Sequence, residues 1–277
     1  GVLASPMASD RKESPHDEHP AKRLWMHKSK VLLVITALSA AVKHMQHPFA
    51  AQLREQLGCD TLCWGQMSSA RSALGLVGSV VVGRLSDVAG RRAALWVALF
   101  GQLCEVASFA LAGSVFDLWL GLVPSALLSK QLDVGKAMVA DSTEGQSVET
   151  RSQEQGLLGM AAGIGILATG LAAVFPTRYE VAALAVAFSL VSAFFTALLP
   201  FTAVPSASSN AAPSSPLASA FRLQCVRSQA GLLLISLRAL MGLAFHIYLP
   251  IFQDSLRRRF DFKPKDFSKL IAFMGVV

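Results

Sequence analysis

Apolar residues occur in this sequence as long runs separated by short polar connections. From Val31 onward, most runs approach the about 20 residues that a helix needs to cross about 30 Å of hydrocarbon. Because an open strand edge would leave backbone groups unpaired in lipid, the runs predict helices. The predicted fold is therefore all-α, a polytopic membrane protein. Seven runs and the start of an eighth are expected at Val31 to Leu53, Met67 to Leu85, Ala93 to Gly113, Val115 to Ala140, Gly156 to Phe175, Val181 to Leu199, Ala230 to Phe252 and Ser268 onward.

Composition supports a membrane protein over a soluble enzyme. Of 277 residues, 53% are hydrophobic and 16% are charged. The formal net charge is +7, and membrane proteins carry such an excess in their cytoplasmic loops. The charge therefore predicts a lipid bilayer as the partner and no nucleic acid.

The pattern of runs and linkers predicts four regions. A stretch rich in Ser, Ala and Pro cannot bury enough surface to order itself, and it separates six runs from the remainder. The chain starts with Gly and stops within an apolar run, so we expect a fragment. The regions are a polar cytoplasmic tail at 1–30, an amino-terminal six-helix bundle at 31–199, a cytoplasmic linker at 200–229 and the truncated start of a second bundle at 230–277.

Charge distribution predicts a cytoplasmic amino terminus. The tail lacks the apolar core of a signal peptide. Arg84, Arg91 and Arg92 in the connection after the second run then lie on the cytoplasmic side, as the positive-inside rule requires. The loop from Arg257 to Lys265 would lie outside, against that rule, and its role is left open, as is the identity of the membrane.

The string from Gly83 to Arg92 predicts a tight turn between two helices. Gly83 would let a neighbouring helix approach, and Gly90 would adopt a conformation closed to other residues. Asp87 would accept hydrogen bonds from a helix amino terminus. Arg91 and Arg92 offer forked donors to carboxylates at the same face.

This string resembles the signature G-x-L-[SA]-D-x-x-G-[RK]-[RK] of the major facilitator superfamily, in its expected place after the second helix. A later acidic and basic pair is also similar to one in that superfamily, and the general pattern is nearest the drug:proton antiporter and organic-anion branch. The resemblance implies two six-helix bundles that alternate access to a site between them. A short loop that merely caps helices is the alternative. The resemblance implies a cytoplasmic gate formed by Gly83, Asp87, Gly90, Arg91, Arg92, Asp141 and Arg151.

Ionisable residues within the first run mark a candidate path. Lys43, His44 and His47 are three and four residues apart and share much of one helix face. The histidines could bind substrate or relay protons. Alternatively, Lys43 extends to the outer interface and the histidines line a rim.

The fourth and seventh runs contain further candidates. Lys130, Asp133 and Lys136 recur every three residues, so Asp133 can pair with either lysine, and the positive remainder favours an anionic substrate. An ion pair that only fixes helix packing is the alternative. Arg238 and His246 lie about two turns apart, where Arg238 suits carboxylate or phosphate, or else extends to the interface.

Several other residues carry structural expectations. Glu105 should hydrogen-bond to a neighbouring helix, and Arg71 should lie at the outer interface. Cys59 and Cys63 could form a local bridge, although free thiols are favoured. The four cysteines fit no zinc site, so no metal is expected. A stripe of glycines in the fifth run predicts close helix packing, at Gly159, Gly163, Gly165 and Gly170.

Together these features predict a secondary transporter of a small organic solute, anionic or drug-like, with proton coupling left open. The protein should act as a monomer without a cofactor. The sequence shows no nucleophile elbow, phosphate loop or His-rich cluster, so it predicts no enzyme. A receptor or scaffold with the same fold that moves no solute is the alternative.

Overall fold

The computed structural model describes residues 20–143, 145–175, 177–199 and 228–261, together with Lys263, Asp266, Lys269, Leu270 and Phe273. Every regular element in this part of the chain is helical. A six-residue 3₁₀ helix, Ala168–Ala173, follows the seventh α-helix. The α-helices are α1 (Pro20–Met45), α2 (His47–Gln56), α3 (Thr61–Val88), α4 (Arg91–Leu111), α5 (Val115–Leu128), α6 (Gln131–Ser142), α7 (Val148–Leu167), α8 (Arg178–Leu198) and α9 (Gln229–Phe260).

The predicted all-α class is confirmed for the described residues, and the third and sixth runs match α4 and α8 closely. The first run is wrong as a single helix, because α1 ends at Met45 and α2 begins at His47. Pro48 stands in the first turn of α2, where a backbone N–H has no partner within the helix, so the missing N–H of proline costs no hydrogen bond. The run is therefore divided into two helices at this point.

The fourth run is also wrong as a single helix, since Ser129 and Lys130 separate α5 from α6. The buried Gln131 side chain fixes the break by donating to the carbonyl of Ala98 on α4, 2.8 Å away. A Cβ atom at Gly101 would lie 2.9 Å from the backbone N of Ser129. The missing side chain therefore lets α4 approach the break.

The packed helices surround three apolar clusters in the described chain, of which two are large and the third joins Leu32, Val139 and Leu158. α1 packs against α7 and α8, α4 against α5 and α8, and α3 against α5. One large cluster joins α1, α2, α4 and α8 around Val42, Phe49 and Val106. The other large cluster joins α1, α3, α4 and α6 around Ile35, Val82 and Leu95. Helices distant in sequence are thereby held in one bundle.

Among the glycines of the predicted stripe, Gly165 supports close helix packing. A Cβ atom at Gly165 would overlap the carbonyl oxygen of Ala37 on α1, so only glycine permits the close α1–α7 packing. Cβ atoms at Gly159 and Gly163 would meet no described atom within 4 Å. The prediction that these two residues support helix packing is therefore wrong within the described chain.

The outer faces of several helices are apolar and exposed. Leu76 and Val81 on α3, Phe100 on α4, and Leu190 and Phe194 on α8 are exposed side chains. Such an extended apolar surface is unusual in a soluble monomer. Within the described residues, α4 and α8 are long and apolar enough to cross a bilayer by length and composition. Membrane spanning by the other helices stays a prediction.

α9 is the one helix after the predicted linker for which bounds are described. Among the described residues, every extensive contact between helices involves two members of the series from α1 to α8. Residues 200–227, most of the linker, lie outside the described part of the chain, as does most of the eighth run. The division into two bundles stays a prediction.

Candidate functional site

The turn between α3 and α4 is formed by Gly90 and organised by Arg91. Gly90 has φ 93° and ψ 157°, a conformation that other residues rarely adopt, as predicted. Arg91 begins α4, and its Nη1 donates to Ser86 Oγ at 2.7 Å and to Asp87 Oδ1 at 2.9 Å. The arginine side chain therefore folds back over the end of α3.

The same guanidinium also reaches α6. Arg91 Nε donates to Asp141 Oδ2 at 2.8 Å, and Nη2 donates to Asp141 Oδ1 at 3.3 Å. This forked pairing fixes both distance and orientation. A carboxylate in the last turn of a helix opposes the helix dipole, and Arg91 offsets that unfavourable charge. We call Ser86, Asp87, Arg91 and Asp141 the arginine junction, because it joins α3, α4 and α6.

The carboxylates of the arginine junction remain accessible to water. The Asp87 and Asp141 side chains are 63% and 54% exposed, against 20% for Arg91. Exposed ion pairs contribute about 0–1 kcal/mol to stability. The junction can therefore open at small energetic cost.

Arg92 connects the same turn to α8. Its Nη2 donates to the carbonyl oxygen of Ala197 at 2.9 Å, in the last turn of α8. Carbonyls at a helix carboxyl end lack intrahelical partners, and an arginine can satisfy them. The two consecutive arginines thus hold α6 and α8 to the start of α4.

Two details of the predicted turn differ from the structure. A Cβ atom at Gly83 would meet no described atom within 4 Å, so no described helix packs closely against it. Asp87 accepts from the Arg91 side chain, and it does not cap the backbone of α4, whose N-cap is Gly90. The Arg151 side chain is exposed and forms no ion pair with the described residues. The gating role of the predicted residues stays a prediction.

A small cavity with a mostly apolar surface and a few charged residues at its border extends from the arginine junction between α3 and α6. Its volume is about 60 Å³, several times the ~10–15 Å³ of probe-occupied space that one water molecule needs. It can accommodate a small polar group. It brings together residues of the predicted gate and of the predicted path. Its lining residues are Ser79, Val82, Gly83, Ser86, Arg91, Lys130, Asp133, Val134 and Ala137.

Lys130 and Asp133 line this cavity without pairing. Asp133 forms no ion pair with either Lys130 or Lys136 in the described part of the chain, so the predicted pair is wrong. The break at Lys130 removes it from the regular helix that the spacing assumed. Lys136 is exposed. The substrate role of these residues stays a prediction.

A second arginine–carboxylate pair joins α3 and α4. Arg71 Nη2 on α3 donates to Glu105 Oε1 on α4 at 2.6 Å, and Ser125 Oγ on α5 donates to Glu105 Oε2 at 2.6 Å. The predicted hydrogen bond of Glu105 to a neighbouring helix is confirmed. The Arg71 side chain is 39% exposed and its guanidinium turns to α4, and its position at the outer interface stays a prediction. We call Arg71, Glu105 and Ser125 the central ion pair.

The predicted histidine pair lies near the central ion pair. The rings of His44 and His47 are 5.4 Å apart between centroids, although the helix break at Gln46 separates the two residues. The charge of Glu105 acts on both imidazoles. Lys43 is exposed, and its charge also acts on Glu105. The structure therefore groups these residues, and their role in substrate or proton binding stays a prediction.

A buried amide network went unpredicted. Gln131 Nε2 on α6 donates to Gln102 Oε1 on α4 at 2.9 Å, and Gln102 Nε2 donates to Ser189 Oγ on α8 at 3.1 Å. All three residues are buried. The sequence could have indicated this network, because two glutamines lie within apolar runs and a buried amide requires a hydrogen-bond partner. The network holds the break between α5 and α6 against two further helices.

The connection between α2 and α3 is closed by a disulfide. Cys59 and Cys63 are bonded, so the expectation of free thiols is wrong. Asp60 caps α3 by accepting from the backbone N of Cys63 at 2.9 Å. The Arg54 guanidinium lies over the Trp64 ring, 3.2 Å from its centroid. These contacts order the end of α3 that lies farthest from the arginine junction.

Arg238 and His246 take positions along α9. Their side chains lie outside the described part of the structure. Their predicted role in binding an anionic group is therefore neither supported nor contradicted.

Helices with apolar outer faces and charged groups between them are typical of polytopic membrane proteins. Comparison with known sequences gives relatives of this class. Solute carrier family 67 member A1 from Homo sapiens is 29% identical over 234 residues, which are 78% of this chain and 54% of that protein. Solute carrier family 22 member 18 from Mus musculus is 28% identical over 263 residues, which are 88% of this chain and 63% of that protein.

Solute carrier family 22 member 18 from Rattus norvegicus is 30% identical over 189 residues, 66% of this chain and 44% of that protein. The chain thus spans about half the length of these relatives. No family profile matches the chain. The chain is therefore similar to part of each of these solute carriers.

Proposed function

We propose that the protein is a secondary transporter of a small organic solute, with the alternating-access mechanism of the major facilitator superfamily. The observation that carries the proposal is the arginine junction. One arginine there binds carboxylates on two other helices at one end of the bundle. The similarity to solute carriers supports the same function. In this proposal the protein acts as a monomer and has no enzymatic activity.

In this mechanism the arginine junction is a latch. It holds α3, α4 and α6 together while the solute site is open to the opposite side of the membrane. When the bundle rocks, Arg91 separates from Asp87 and Asp141 and the cavity opens inward. The high exposure of both carboxylates suits a contact that must form and break in each cycle.

Uptake into sealed vesicles tests the proposal. The full-length protein is screened with labelled organic anions and cations, with and without a pH gradient. The Asp87→Asn variant is then compared with Glu149→Gln, which alters an exposed acid in the first turn of α7. We expect Asp87→Asn to slow uptake at least fivefold and Glu149→Gln to leave it unchanged. Equal uptake by all three proteins would contradict the latch, and uptake of no solute would favour the receptor or scaffold.

We also propose that the arginine junction faces the cytosol and that the α2–α3 connection faces an oxidising compartment. Cys63 and Asp87 are separated along α3 by about 36 Å at ~1.5 Å per residue, which exceeds the thickness of the hydrocarbon. Disulfides persist in the secretory pathway and outside the cell, whereas the cytosol keeps thiols reduced. The bond between Cys59 and Cys63 therefore supports this orientation.

Thiol labelling tests the orientation. In intact cells, Cys59 and Cys63 should react with a membrane-impermeant maleimide at the non-cytosolic face only after reduction. A cysteine placed at the exposed Val88, beside the arginine junction, should react only after the membrane is permeabilised. The reverse pattern would contradict the proposed orientation.

A further inference from the structure

Three cationic side chains converge on the interior of the bundle. The position of a Cβ atom on Gly75 lies 3.4 Å from Lys130 Nζ, so the ammonium group rests against α3. Arg71 is four residues before Gly75, which places it on the same face of α3 about 5–6 Å away between Cβ positions. Among its neighbours, the charge of Asp133 acts on Lys130 most strongly, and the charges of Lys43 and Arg71 also act on it. We call Lys43, Arg71 and Lys130 the basic cluster.

The nearby acids do not neutralise the basic cluster. Both oxygens of Glu105 are engaged, one by Arg71 and the other by Ser125. Asp133 lines the cavity with Lys130 and forms no ion pair with it in the described part of the chain. The two lysines consequently lack a carboxylate partner among the described residues. Three cations and two acids leave one positive charge in excess.

Excess positive charge between membrane helices is costly, because an ionisable group there loses several kcal/mol of hydration unless it meets a cavity or a partner. An anion placed among the cations would offset that cost and would be attracted most strongly where the surroundings exclude water. We propose that the basic cluster binds the anionic head group of an organic solute, a carboxylate in the simplest case. This inference rests on the proposed transport function and specifies its substrate class.

The space beside Lys130 suits a head group. The cavity of about 60 Å³ is bordered by Lys130, whose ammonium group offers donors, and by Ser79, whose hydroxyl already donates to the carbonyl oxygen of Gly75 at 3.0 Å. Lys43 is exposed, so the body of the solute has an open approach there. The solute would therefore enter with its charged end toward α3 and α6.

Calorimetric titration tests the proposal with full-length protein in lipid nanodiscs and a buffer low in chloride. Benzoate is the probe. Benzyl alcohol has a similar shape without charge, tetraethylammonium has the opposite charge, and sodium chloride supplies an inorganic anion. Lys130→Gln and Lys43→Gln remove one charge each from the basic cluster, and Lys130→Arg retains the charge. Lys30→Gln is the matched control, because Lys30 is an exposed lysine on the same helix as Lys43.

We expect benzoate to bind and benzyl alcohol and tetraethylammonium to bind at least tenfold more weakly. Lys130→Gln and Lys43→Gln should each weaken benzoate binding at least tenfold, while Lys130→Arg and Lys30→Gln stay within threefold of the wild type. If Lys130→Gln fails to fold, judged by its melting temperature, Lys43→Gln decides. Equal affinities for benzoate and benzyl alcohol, or equal losses in Lys43→Gln and Lys30→Gln, would overturn the proposal.

Two outcomes separate this inference from the proposed function. Chloride that binds more tightly than benzoate would assign the cluster to an inorganic anion and overturn the substrate class alone. Uptake of organic cations that still depends on Asp87 would likewise refute the anionic substrate and leave the transport mechanism standing. Benzoate binding without uptake of any solute would retain the anion site and refute the transporter.

Discussion

The central ion pair and the arginine junction use the same chemistry in two environments. Each joins an arginine to a carboxylate on another helix, at 2.6 Å between Arg71 and Glu105 and at 2.8 Å between Arg91 and Asp141. The Glu105 side chain is 19% exposed and that of Asp141 is 54% exposed, whereas Arg71 is 39% exposed and Arg91 is 20% exposed. The carboxylate of the central pair is therefore shielded by helices, and the carboxylate of the junction faces water.

Environment gives the two pairs different consequences. In water, the attraction between exposed charges nearly balances their hydration, so forming or breaking the pair changes little free energy. Between helices, removing one partner strands a charge that water cannot fully hydrate. We therefore expect the central pair to maintain the fold and the arginine junction to respond to conformational change.

Glu105→Ala should have the largest effect. It leaves the Arg71 guanidinium and the Ser125 hydroxyl without their acceptor, and we expect a loss of about 3 kcal/mol in the free energy of unfolding. Denaturant titration in detergent, followed by circular dichroism, measures that loss. Glu105→Gln keeps an acceptor for Ser125 and should lose less. An unchanged unfolding midpoint in Glu105→Ala would contradict a stabilising role.

Double-mutant cycles should separate the two pairs directly. Alanine substitutions at Arg71 and Glu105, singly and together, should give a coupling free energy of about 2 kcal/mol because the pair is partly shielded from water. The same cycle at Arg91 and Asp141 should give about 0.5–1 kcal/mol. Unfolding titrations of all variants provide both values. A larger coupling at Arg91 and Asp141 would reverse the comparison.

Asp141→Asn should change conformation more than stability. Loss of about 1 kcal/mol from a latch shifts a two-state population about fivefold. A cysteine at Ser79, introduced after Cys104→Ser, reports on access to the cavity that Ser79 lines. We expect maleimide to label this cysteine about fivefold faster in Asp141→Asn. The factor follows because about 1.36 kcal/mol corresponds to a tenfold change in an equilibrium constant. Equal labelling rates in Asp141→Asn and wild type would exclude a latch at this residue.

Salt should give the smallest effect. Raising ionic strength shortens the Debye length from about 10 Å at 0.1 M to about 3 Å at 1 M, which screens exposed charges more than buried ones. Labelling at the introduced Ser79 cysteine should then rise about twofold, since the exposed junction weakens. In the wild type, salt should change the melting temperature less than it changes the labelling rate. A salt-sensitive melting temperature that Glu105→Ala abolishes would show that the central pair is hydrated.

Sequence patterns predicted the positions of the helices better than the points at which an apolar run is divided into two helices. The bounds of α4 and α8 followed from hydropathy, because a helix crossing lipid needs an uninterrupted apolar run. The break at Ser129 and Lys130 lay within such a run. It depends on the bond between Gln131 and the carbonyl of Ala98, a contact across helices that no local pattern contains.

The same distinction holds for the candidate sites. The string from Gly83 to Arg92 predicted the turn, since Gly90 and Arg91 act within a few residues of each other. Arg71 was assigned to the interface because hydropathy places a residue along the membrane and says nothing of the side to which it points. Its partner, Glu105, is on the next helix, and only their packing reveals the pair.

The sequence by itself determined the helical class, the approximate helix positions and the turn at Gly90, since these depend on local backbone preferences and on the length of apolar runs. The tertiary structure decided which charges meet. Asp141 pairs with Arg91, and Lys130 lies against Gly75 instead of pairing with Asp133. Charge interactions act through space over a few ångströms, so residues far apart in sequence become partners only when the helices are packed.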